Sequence, residues 1–435
     1  MGNRADLLNL SIEELNQHYV SLQECYAEYK NQSMKLDMSR GKPCPEQLEL
    51  SKRMLDLITS SDSLRARDGS DCLNYGGVDG IPEAKELFAQ ILGVDSNEVI
   101  IGGSSSLTMM HDTISRAMLH GVYGSEQPWS KLPTVKFLCP SPGYDRHFAI
   151  CELFNIEMIV VDMLHDGPDM DAVEALVSQD NSVKGIWCVP KYSNPDGITY
   201  SDQVVKRLAN MTTKASDFRI FWDDAYSVHH LTDQPDQLTN ILSACKEAGN
   251  PDRVFMYCST SKITFPGAGV AAMAGSVANI NNTRKQISVQ TIGPDKINQL
   301  RHIRFLKDMD HLRSHMAEHA AILKPKFDIV LGTLESELGD SRIAAWNKPN
   351  GGYFISLNTW DGCATIAVKM AADAGVTLTA AGATFPYGKD PLDRNIRIAP
   401  SFPSLEELKK SIEILCICIQ LASIEKILAE RGQER

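Results

Sequence analysis

A single lysine stands among small hydroxyl side chains at the end of an apolar segment. Residues 254–258 are apolar or aromatic, which is typical of a buried strand, and Ser259, Thr260, Ser261 and Lys262 follow them directly. A lysine whose pKa is lowered by its surroundings is a nucleophile that forms a Schiff base with a carbonyl compound. Lys262 is therefore a candidate catalytic residue, although most lysines are solvated surface charges.

Two groups of polar residues lie upstream of this lysine. Asp223, Asp224 and Tyr226 follow the largely apolar segment 218–222, which repeats the pattern of polar residues at a strand end. The sequence Asn-Pro-Asp-Gly at 194–197 is typical of a turn in any protein, and it also presents an amide side chain. These carboxylate, phenol and amide groups are candidates for holding a polar ligand.

Two further motifs suit anionic groups. Gly102 and Gly103 precede three serines and the predicted helix 107–119, and small residues at a helix N-terminus allow backbone N–H groups to approach a phosphate. Ordinary serine capping is the alternative interpretation, and it is compatible with phosphate binding. Near the C-terminus, Arg397 offers the planar fork that binds a carboxylate in bidentate fashion, whereas Arg394 is interpreted as a surface charge.

The order of these motifs closely resembles that of the fold type I aminotransferases, which use pyridoxal 5′-phosphate (PLP). The resemblance covers nearly the whole chain, and several motifs in the correct order are far more specific than any one of them. Within that superfamily the sequence looks most similar to a divergent bacterial aspartate aminotransferase group. The segments shared with that group are Ser39-Arg40-Gly41-Lys42-Pro43, Tyr75-Gly76-Gly77 and the run from Ser259 to Gly269.

The resemblance implies a role for each candidate residue. Lys262 would carry the cofactor and then act as general base and acid, while Asp223 would lie beside the pyridine nitrogen and favour its protonated form. Chemistry alone leaves Asp224 as a rival, and the family's spacing to the tyrosine selects Asp223. The implied catalytic residues are Lys262, Asp223 and Tyr226. The implied cofactor-binding residues are Tyr75, Ser104, Ser105, Ser106, Tyr144, Asn194, Asp223, Tyr226, Ser259, Ser261 and Lys262. The implied substrate-binding residues are Arg40, Gly41, Asn194 and Arg397.

Within that set, the resemblance places Tyr226 and Asn194 on the phenolic oxygen of the cofactor and Tyr144 on the face of its ring. Tyr75 would reach the cofactor phosphate of a second subunit, which implies a homodimer with shared sites. One departure concerns the phosphate, because Val270 stands where many relatives carry an arginine. The identity of the cation that would bind a side-chain carboxylate of the substrate stays open. The candidates are Arg40, Lys42, Arg146 and Lys296, of which Arg40 and Arg146 lie beside motifs expected to border the substrate.

Bulk composition excludes several function classes. The net charge of −12 argues against a nucleic-acid partner, which is bound by clustered Lys and Arg. Apolar runs such as 414–419 are too short to span a bilayer. The 11 cysteines are scattered and odd in number, so we interpret them as buried thiols in a reducing cytoplasm. The adjacent His229 and His230 point in different directions, so we expect no metal site there.

Alternating patterns predict an α/β fold. Strand patterns occur near 99–101, 135–138, 158–161, 185–189, 219–222 and 253–257, and helical stretches separate most of them. This alternation indicates βαβ units and a mostly parallel sheet. Capping boxes predict helices from Ser11 and from Ser404, and one long helical stretch is predicted at about 295–322.

The family resemblance gives the domain organisation. It implies a large PLP-binding domain at 61–310, with a mostly parallel seven-stranded sheet between helices. Residues 1–60 and 311–435 would form a smaller α+β domain. We therefore predict a cytoplasmic PLP-dependent aminotransferase that acts on aspartate and 2-oxoglutarate by a ping-pong mechanism. A PLP-dependent lyase or decarboxylase on the same scaffold, or a non-catalytic effector-binding module, are the alternatives.

Overall fold

The chain divides into two compact units in the computed structural model, which describes residues 6–32 and 34–433. The larger unit comprises Pro45–Ser193 and Ile198–Ala320. The smaller unit comprises Met1–Cys44, Asn194–Gly197 and Ala321–Arg435. The predicted domain limits near 60 and 310 stay a prediction. Among the described helices, none is both long enough and apolar enough to cross a membrane.

Helices and strands alternate through most of the chain. The helices are α1 (Ile12–Asn31), α2 (Pro45–Lys52), α3 (Pro82–Leu92), α4 (Ser106–His120), α5 (Asp145–Leu153), α6 (Met170–Gln179), α7 (Asp202–Asn210), α8 (Ile241–Glu247), α9 (Val277–Gln290), α10 (Lys296–Leu306), α11 (Met309–Leu338), α12 (Ala364–Asp373) and α13 (Leu405–Gln433). The strands are β1 (Leu36–Asp37), β2 (Val99–Ile101), β3 (Lys136–Ser141), β4 (Glu157–Leu164), β5 (Gly167–Pro168), β6 (Val183–Cys188), β7 (Arg219–Asp223), β8 (Val254–Ser259), β9 (Ala271–Gly275), β10 (Ala344–Trp346), β11 (Ile355–Thr359), β12 (Val376–Thr377) and β13 (Asn395–Ile398).

The larger unit is built on one sheet in the order β2-β9-β8-β7-β6-β3-β4-β5. The pairs from β4 through β3, β6 and β7 to β8 are parallel, whereas β9 is antiparallel to both of its neighbours. The predicted α/β fold with a mostly parallel sheet is confirmed. The predicted seven strands correspond to this order without β5, a two-residue segment that pairs antiparallel with β4.

Successive residues of the central strands face opposite sides of this sheet, as the two-residue period of a strand requires. Ile220 and Trp222 belong to one buried apolar cluster, and Phe221 between them belongs to another. Central parallel strands are apolar on both faces because helices cover both sides of the sheet. Polar side chains that must meet a ligand are therefore confined to the strand ends and the loops after them.

The smaller unit combines an antiparallel sheet with helices. Strands β10, β11 and β13 pair in that order, and β1 pairs with β12 in a separate parallel ladder. Helix α1 begins at the predicted capping box, in which Ser11 N donates to Glu14 Oε2 at 2.8 Å and Glu14 N donates to Ser11 Oγ at 3.2 Å. The box at Ser404 that opens α13 is also confirmed.

The long helix predicted at 295–322 is wrong. Helix α10 ends at Leu306, and Lys307 has a positive φ of 57° that no α-helix accommodates. A new helix begins with the amide of Leu312 donating to Asp308 O, and α11 then continues to Leu338. Sequence periodicity continues across such a break, because a single left-handed residue leaves the apolar pattern on both sides in place.

Candidate active site

One edge of the large sheet collects most of the predicted cofactor-binding residues. Strands β3, β6, β7 and β8 run parallel, so their carboxyl ends meet at the same edge. Strand β2 runs in that direction too, because it is antiparallel to β9, which is antiparallel to β8. The segments after these ends carry Tyr144, Tyr226, Lys262 and the serines that open α4, and Asp223 is itself the last residue of β7.

The carboxylate of Asp223 is held by a buried histidine. His147 Nε2 lies 3.1 Å from Asp223 Oδ2, and both side chains are buried. An ionised carboxylate only accepts hydrogen bonds, so Nε2 carries the proton and donates. The imidazole stacks on Trp187 at a centroid distance of 4.3 Å and an interplanar angle of 9°. Stacking and hydrogen bond together fix the orientation of the Asp223 carboxyl group.

The second carboxylate oxygen of Asp223, Oδ1, is buried and has no hydrogen-bond partner among the described residues. Leaving a carboxylate oxygen buried and unsatisfied is costly, so such an atom in a fixed side chain indicates a ligand with a donor. The side chain is thus half satisfied by the protein and half available to a bound N–H group.

The adjacent acid has a different environment. Burial raises the pKa of Asp224 to about 7, the positive charge of Lys191 opposes this rise, and the charge of Asp223 adds to it. The Asp224 amide donates to Tyr257 O at 2.8 Å, which ties the residue to the sheet. Asp224 also keeps one buried oxygen, Oδ1, without a hydrogen-bond partner among the described residues, so the hydrogen bond from His147 is what distinguishes Asp223 from its neighbour.

Lys262 and Tyr226 lie together at the same sheet edge. The lysine Nζ is 5.0 Å from the centroid of the Tyr226 ring, which is a cation–π distance. Burial lowers the pKa of Lys262, and the negative charge of Asp223 acts in the opposite direction. A lysine with a lowered pKa is neutral in a larger fraction of molecules, and the neutral amine is the nucleophile.

Serine hydroxyls converge at the start of α4. Ser105 caps the helix by accepting from Leu107 N at 3.2 Å. From the neighbouring segment, Ser259 Oγ donates to Ser261 Oγ at 3.1 Å, and Ser261 Oγ donates to the carbonyl of Ser104 at 3.4 Å. Both predicted serine groups thus meet at one helix N-terminus, which is the favoured place for an anion.

The position expected to hold an arginine is part of the core. Val270 is buried, and its amide donates to Thr260 Oγ1 at 2.9 Å. A Cβ on the preceding Gly269 would fall 2.9 Å from the Ser104 carbonyl oxygen, so the two segments approach closely at this point. This part of the serine cluster is therefore built from backbone and hydroxyl groups, without a cation at 270.

Tyr75 is 82 % exposed, an unusual state for a large aromatic residue. Its backbone carbonyl accepts from Lys296 Nζ at 3.3 Å, and Lys296 is itself buried. Leu73 and Ile292 are also exposed, and Gly293, next to Ile292, lies against the backbone of Gly76. Tyr75 therefore belongs to an exposed apolar surface of the larger unit rather than to its serine cluster.

The smaller unit contains the other predicted residues. Arg397 on β13 is buried and donates from Nη1 to Asn194 Oδ1 at 3.3 Å and from Nη2 to Thr379 Oγ1 at 3.1 Å. Its guanidinium carbon lies 5.0 Å from the centroid of the Phe354 ring. The arginine is thus held by neutral oxygens and an aromatic face, which fix the plane of its fork.

Phe354 also explains Gly41. A Cβ on Gly41 would fall 2.5 Å from Phe354 Cζ, so only glycine fits against this ring. Among the candidate cations, Arg40 and Arg146 are exposed, and the Lys42 ammonium lies 3.7 Å from the centre of the Phe402 ring. Lys42 is exposed as well, and the cation for a side-chain carboxylate stays a prediction among Arg40, Lys42, Arg146 and Lys296.

The family model described as aspartate amino-transferase matches residues 10–431. The chain belongs to this family. It is accordingly an aminotransferase of fold type I, and the family uses PLP.

Relatives support the assignment over nearly the whole length. The aspartate aminotransferase of Corynebacterium glutamicum is 44% identical over 96% of this chain and 96% of its own. A crystal structure of an aspartate transaminase from that organism has a TM-score of 0.95 and covers 98% of this chain and 100% of the other. An α-aminoadipate aminotransferase from Thermus thermophilus, crystallised with N-(5′-phosphopyridoxyl)-L-leucine, shares the fold at 19% identity, with a TM-score of 0.71 over 99% of this chain and 98% of its own.

The residues at the sheet edge of this aminotransferase fit PLP. The unpartnered Asp223 Oδ1 matches a protonated ring nitrogen, because it is a fixed and buried acceptor. The serine cluster at the start of α4 matches a phosphate, and a Cβ on Gly103 would meet nothing within 4 Å, so there is open space beside it. Two independent features of the larger unit therefore agree with the two ends of the same cofactor.

Sequence reasoning missed several residues of this site. His147 lies three residues after Tyr144, about one turn along α5, and that spacing is the signal by which it could have been found. The two rings are 5.0 Å apart in an edge-on arrangement. Thr379 and Phe354 gave no signal, because they are common residue types and lie far from Arg397 in the chain. Their proximity arises only from the folding of the smaller unit.

Proposed function

We propose that this aminotransferase transfers the amino group of aspartate to 2-oxoglutarate by a ping-pong mechanism. Two observations support the proposal. The lysine with a lowered pKa and the half-satisfied Asp223 provide transamination chemistry, and the Corynebacterium glutamicum relative named for aspartate is 44% identical over the same length. In a ping-pong mechanism, oxaloacetate leaves before 2-oxoglutarate binds.

Lys262 is the proposed nucleophile and proton carrier. With PLP bound, its amine would hold the cofactor covalently. Once free, Nζ would carry a proton to and from the substrate Cα. The burial that lowers the pKa of Lys262 increases the fraction of molecules in which this amine is neutral.

Asp223 is the proposed electrostatic partner of the cofactor ring. When bound, PLP supplies an electron sink for negative charge that develops at the substrate Cα. An ionised Asp223 favours the protonated ring nitrogen on which that sink depends, and His147 holds the carboxylate in place. Tyr226 and Asn194 are proposed to form hydrogen bonds with the phenolic oxygen of the cofactor, and Tyr144 is proposed to cover its ring. The proposed ligands of the phosphate are Ser104, Ser105, Ser106, Ser259 and Ser261.

Arg397 is the proposed ligand of the substrate α-carboxylate. Its guanidinium plane is fixed by Asn194, Thr379 and Phe354, so little freedom is lost when a carboxylate binds in bidentate fashion. Gly41 lies against the same Phe354 ring and is proposed to border this carboxylate. Arg40 is proposed to meet the side-chain carboxylate of the substrate.

A product assay with a chemical trap tests the proposal. Aspartate and 2-oxoglutarate should yield glutamate and oxaloacetate, and aspartate alone should release no more than one oxaloacetate per site. Borohydride reduction of the holoenzyme should fix the cofactor on Lys262, and Lys262→Ala should abolish both adduct and turnover. Lys285→Ala, a change at an exposed lysine of α9, is the matched control. Pyruvate or alanine as product would instead indicate a lyase or decarboxylase.

Tyr75 is proposed to act in a second subunit. Its exposure within an apolar surface supports a two-fold dimer in which its phenol reaches the partner's cofactor phosphate. A Lys262→Ala subunit and a Tyr75→Ala subunit should each be nearly inactive alone. After subunit exchange, one site of each heterodimer carries both changes and the other carries neither, so activity should return. Proven exchange without any recovery would contradict shared sites.

A further inference from the structure

Buried histidines surround the backbone that carries Lys262. His229, His302, His315 and His319 come from three different segments of the larger unit, and all four are buried. Their rings contact the residues on either side of the lysine and the lysine carbonyl itself. These histidines lie outside the residue set assigned to the cofactor and the substrate, and their number around one short loop requires an explanation.

Two of the contacts reach the main chain at and after the lysine. His315 Nε2 lies 2.7 Å from the carbonyl oxygen of Ile263, and His229 Nε2 lies 3.4 Å from the carbonyl oxygen of Lys262. A carbonyl oxygen only accepts hydrogen bonds, so each imidazole presents a protonated Nε2 to the loop. Two successive carbonyl groups beneath the lysine are thus held by side chains from α11 and from the segment after β7.

The third histidine holds the hydroxyl groups of the same loop. His302 Nδ1 lies 2.8 Å from Asn298 O and must donate there, so its Nε2 is an acceptor. That nitrogen lies 2.9 Å from Thr264 Oγ1 and 3.2 Å from Thr260 Oγ1. The loop is therefore fixed on both sides of Lys262, by hydroxyl groups in addition to carbonyl groups.

The fourth histidine stands behind His315. His319 Nε2 lies 3.1 Å from His315 Nε2, and Gln47 Nε2 lies 3.0 Å from His319 Nδ1. An amide nitrogen donates, so Nδ1 of His319 accepts and its Nε2 carries the proton. That proton is directed to the Ile263 carbonyl, so His315 and His319 converge as two donors on the same oxygen. Burial lowers the pKa of His315, and burial together with His315 lowers that of His319 to about 3.

We propose that His315 and His229 are positioning residues for Lys262. Their neutral imidazoles hold the carbonyl groups of Ile263 and Lys262, so that the lysine side chain moves on a fixed backbone. The proposal rests on the proposed role of Lys262. In that role the lysine would serve both the cofactor and the substrate Cα, and its long flexible side chain would reach both positions reliably only from a fixed anchor. Misplacement of a reacting group by about 1 Å costs up to about 100-fold in rate.

Variants of His315 that differ only in reach test this role in the holoenzyme. In His315→Gln, the amide nitrogen occupies nearly the place of Nε2 and keeps the bond to Ile263 O. In His315→Asn, the donor is too short to reach it. We expect kcat to fall about ten-fold or more in His315→Asn, with KM for aspartate changed less than about two-fold. The pH midpoint of the visible absorbance of bound PLP, which reports the lysine linkage, should also shift. His315→Gln should retain most of the wild-type behaviour in both measurements.

Two controls separate positioning from general stability. His311→Asn changes an exposed histidine one turn earlier on α11 and should leave both measurements unchanged. Leu208→Ala removes a fully buried side chain of α7 and should lower the melting temperature without moving the absorbance midpoint. The proposal is wrong if His315→Asn and His315→Gln behave alike, or if the midpoint moves only in proportion to the loss of thermal stability.

Borohydride trapping in the wild-type enzyme distinguishes loss of the positioning role from loss of the proposed role of Lys262. If borohydride fixes the cofactor on another lysine in the wild-type enzyme, the proposed role of Lys262 fails and the inference fails with it. If the adduct is on Lys262 and the paired His315 variants do not differ, only the positioning role is overturned.

Discussion

The sheet edge of the larger unit and the surroundings of Arg397 in the smaller unit handle charge in different ways. At the sheet edge, burial lowers the pKa of Lys262, and Asp223 keeps one oxygen without a partner. Around Arg397, neutral oxygens from Asn194 and Thr379 contact two of the guanidinium nitrogens. The first region uses desolvation to tune groups that exchange protons. The second uses hydrogen bonds to fix the orientation of a guanidinium group.

This difference predicts different kinetic consequences. Changes at the sheet edge should act on kcat, because they alter stabilisation that develops only during the reaction. Changes around Arg397 should act more strongly on KM, because that arginine is proposed to bind the carboxylate equally in the ground state and the transition state. Three predictions test this contrast, and a fourth tests the difference between the two neighbouring acids at the sheet edge.

The largest effect is expected from Asp223→Ala. Loss of the carboxylate removes stabilisation of the protonated ring nitrogen, and we expect kcat to fall about 10²- to 10³-fold, the scale of other preorganised electrostatic effects. Asp224→Ala, a change at the adjacent buried acid, should cost far less. Steady-state kinetics of both variants measures the difference, and equal losses would contradict the assignment of Asp223.

Arg397→Lys should come next. A lysine keeps the positive charge and loses the planar fork, so we expect kcat/KM to fall about 10- to 100-fold, mainly through KM. Arg394→Lys is the control, since Arg394 is exposed and lies 4.0 Å from Asp361 at its nearest approach. A loss carried by kcat alone would show that Arg397 does not act through ground-state binding.

The same contrast explains what the sequence could predict. The motifs at Asp223 and Lys262 each follow a buried strand of a parallel sheet, and such strands fix the place of whatever follows them. Helix caps at Ser11 and Ser404 were predictable because their hydrogen bonds are local. Element type and order therefore followed from periodicity and from short-range signals.

The remaining features depend on contacts between distant segments. His315 meets Ile263 across 52 positions, and Thr379 meets the backbone of Ser39 across 340. No local pattern marks such pairs. The break at Lys307 was also hidden, because a positive φ at a lysine has no sequence signature comparable to that of glycine.

A smaller effect is expected from Thr379→Val, which tests whether the orientation of Arg397 matters. Thr379 Oγ1 accepts from Arg397 Nη2 at 3.1 Å and donates to Ser39 O at 2.7 Å. Valine has the same shape without the hydroxyl group, so we expect KM for the amino acid to rise about three- to ten-fold with kcat nearly unchanged. Thr377→Val, at an exposed threonine of β12, should change neither constant. Equal kinetics in the two variants would contradict an orienting role.

The smallest effect concerns stability and uses the acid that the proposed chemistry leaves aside. Burial raises the pKa of Asp224 from its usual 3.8 to about 7 in the folded chain. Below pH 4 the group is protonated in both states and contributes nothing to the pH dependence. Between those values the unfolded chain has released the proton that the folded chain retains, so stability falls as the pH rises, and above pH 7 the penalty is constant.

Asp224→Asn removes this penalty, because asparagine is neutral at every pH. We therefore expect the melting temperature of the variant relative to wild type to rise by about one to three degrees between pH 5 and pH 8. Asp233→Asn, at an exposed acid, should show no such trend. Thermal unfolding of both holoenzyme variants at several pH values measures the difference. A constant offset for Asp224→Asn across this range would show that Asp224 is ionised in the fold throughout, and the contrast between the neighbouring acids would then rest on His147 alone.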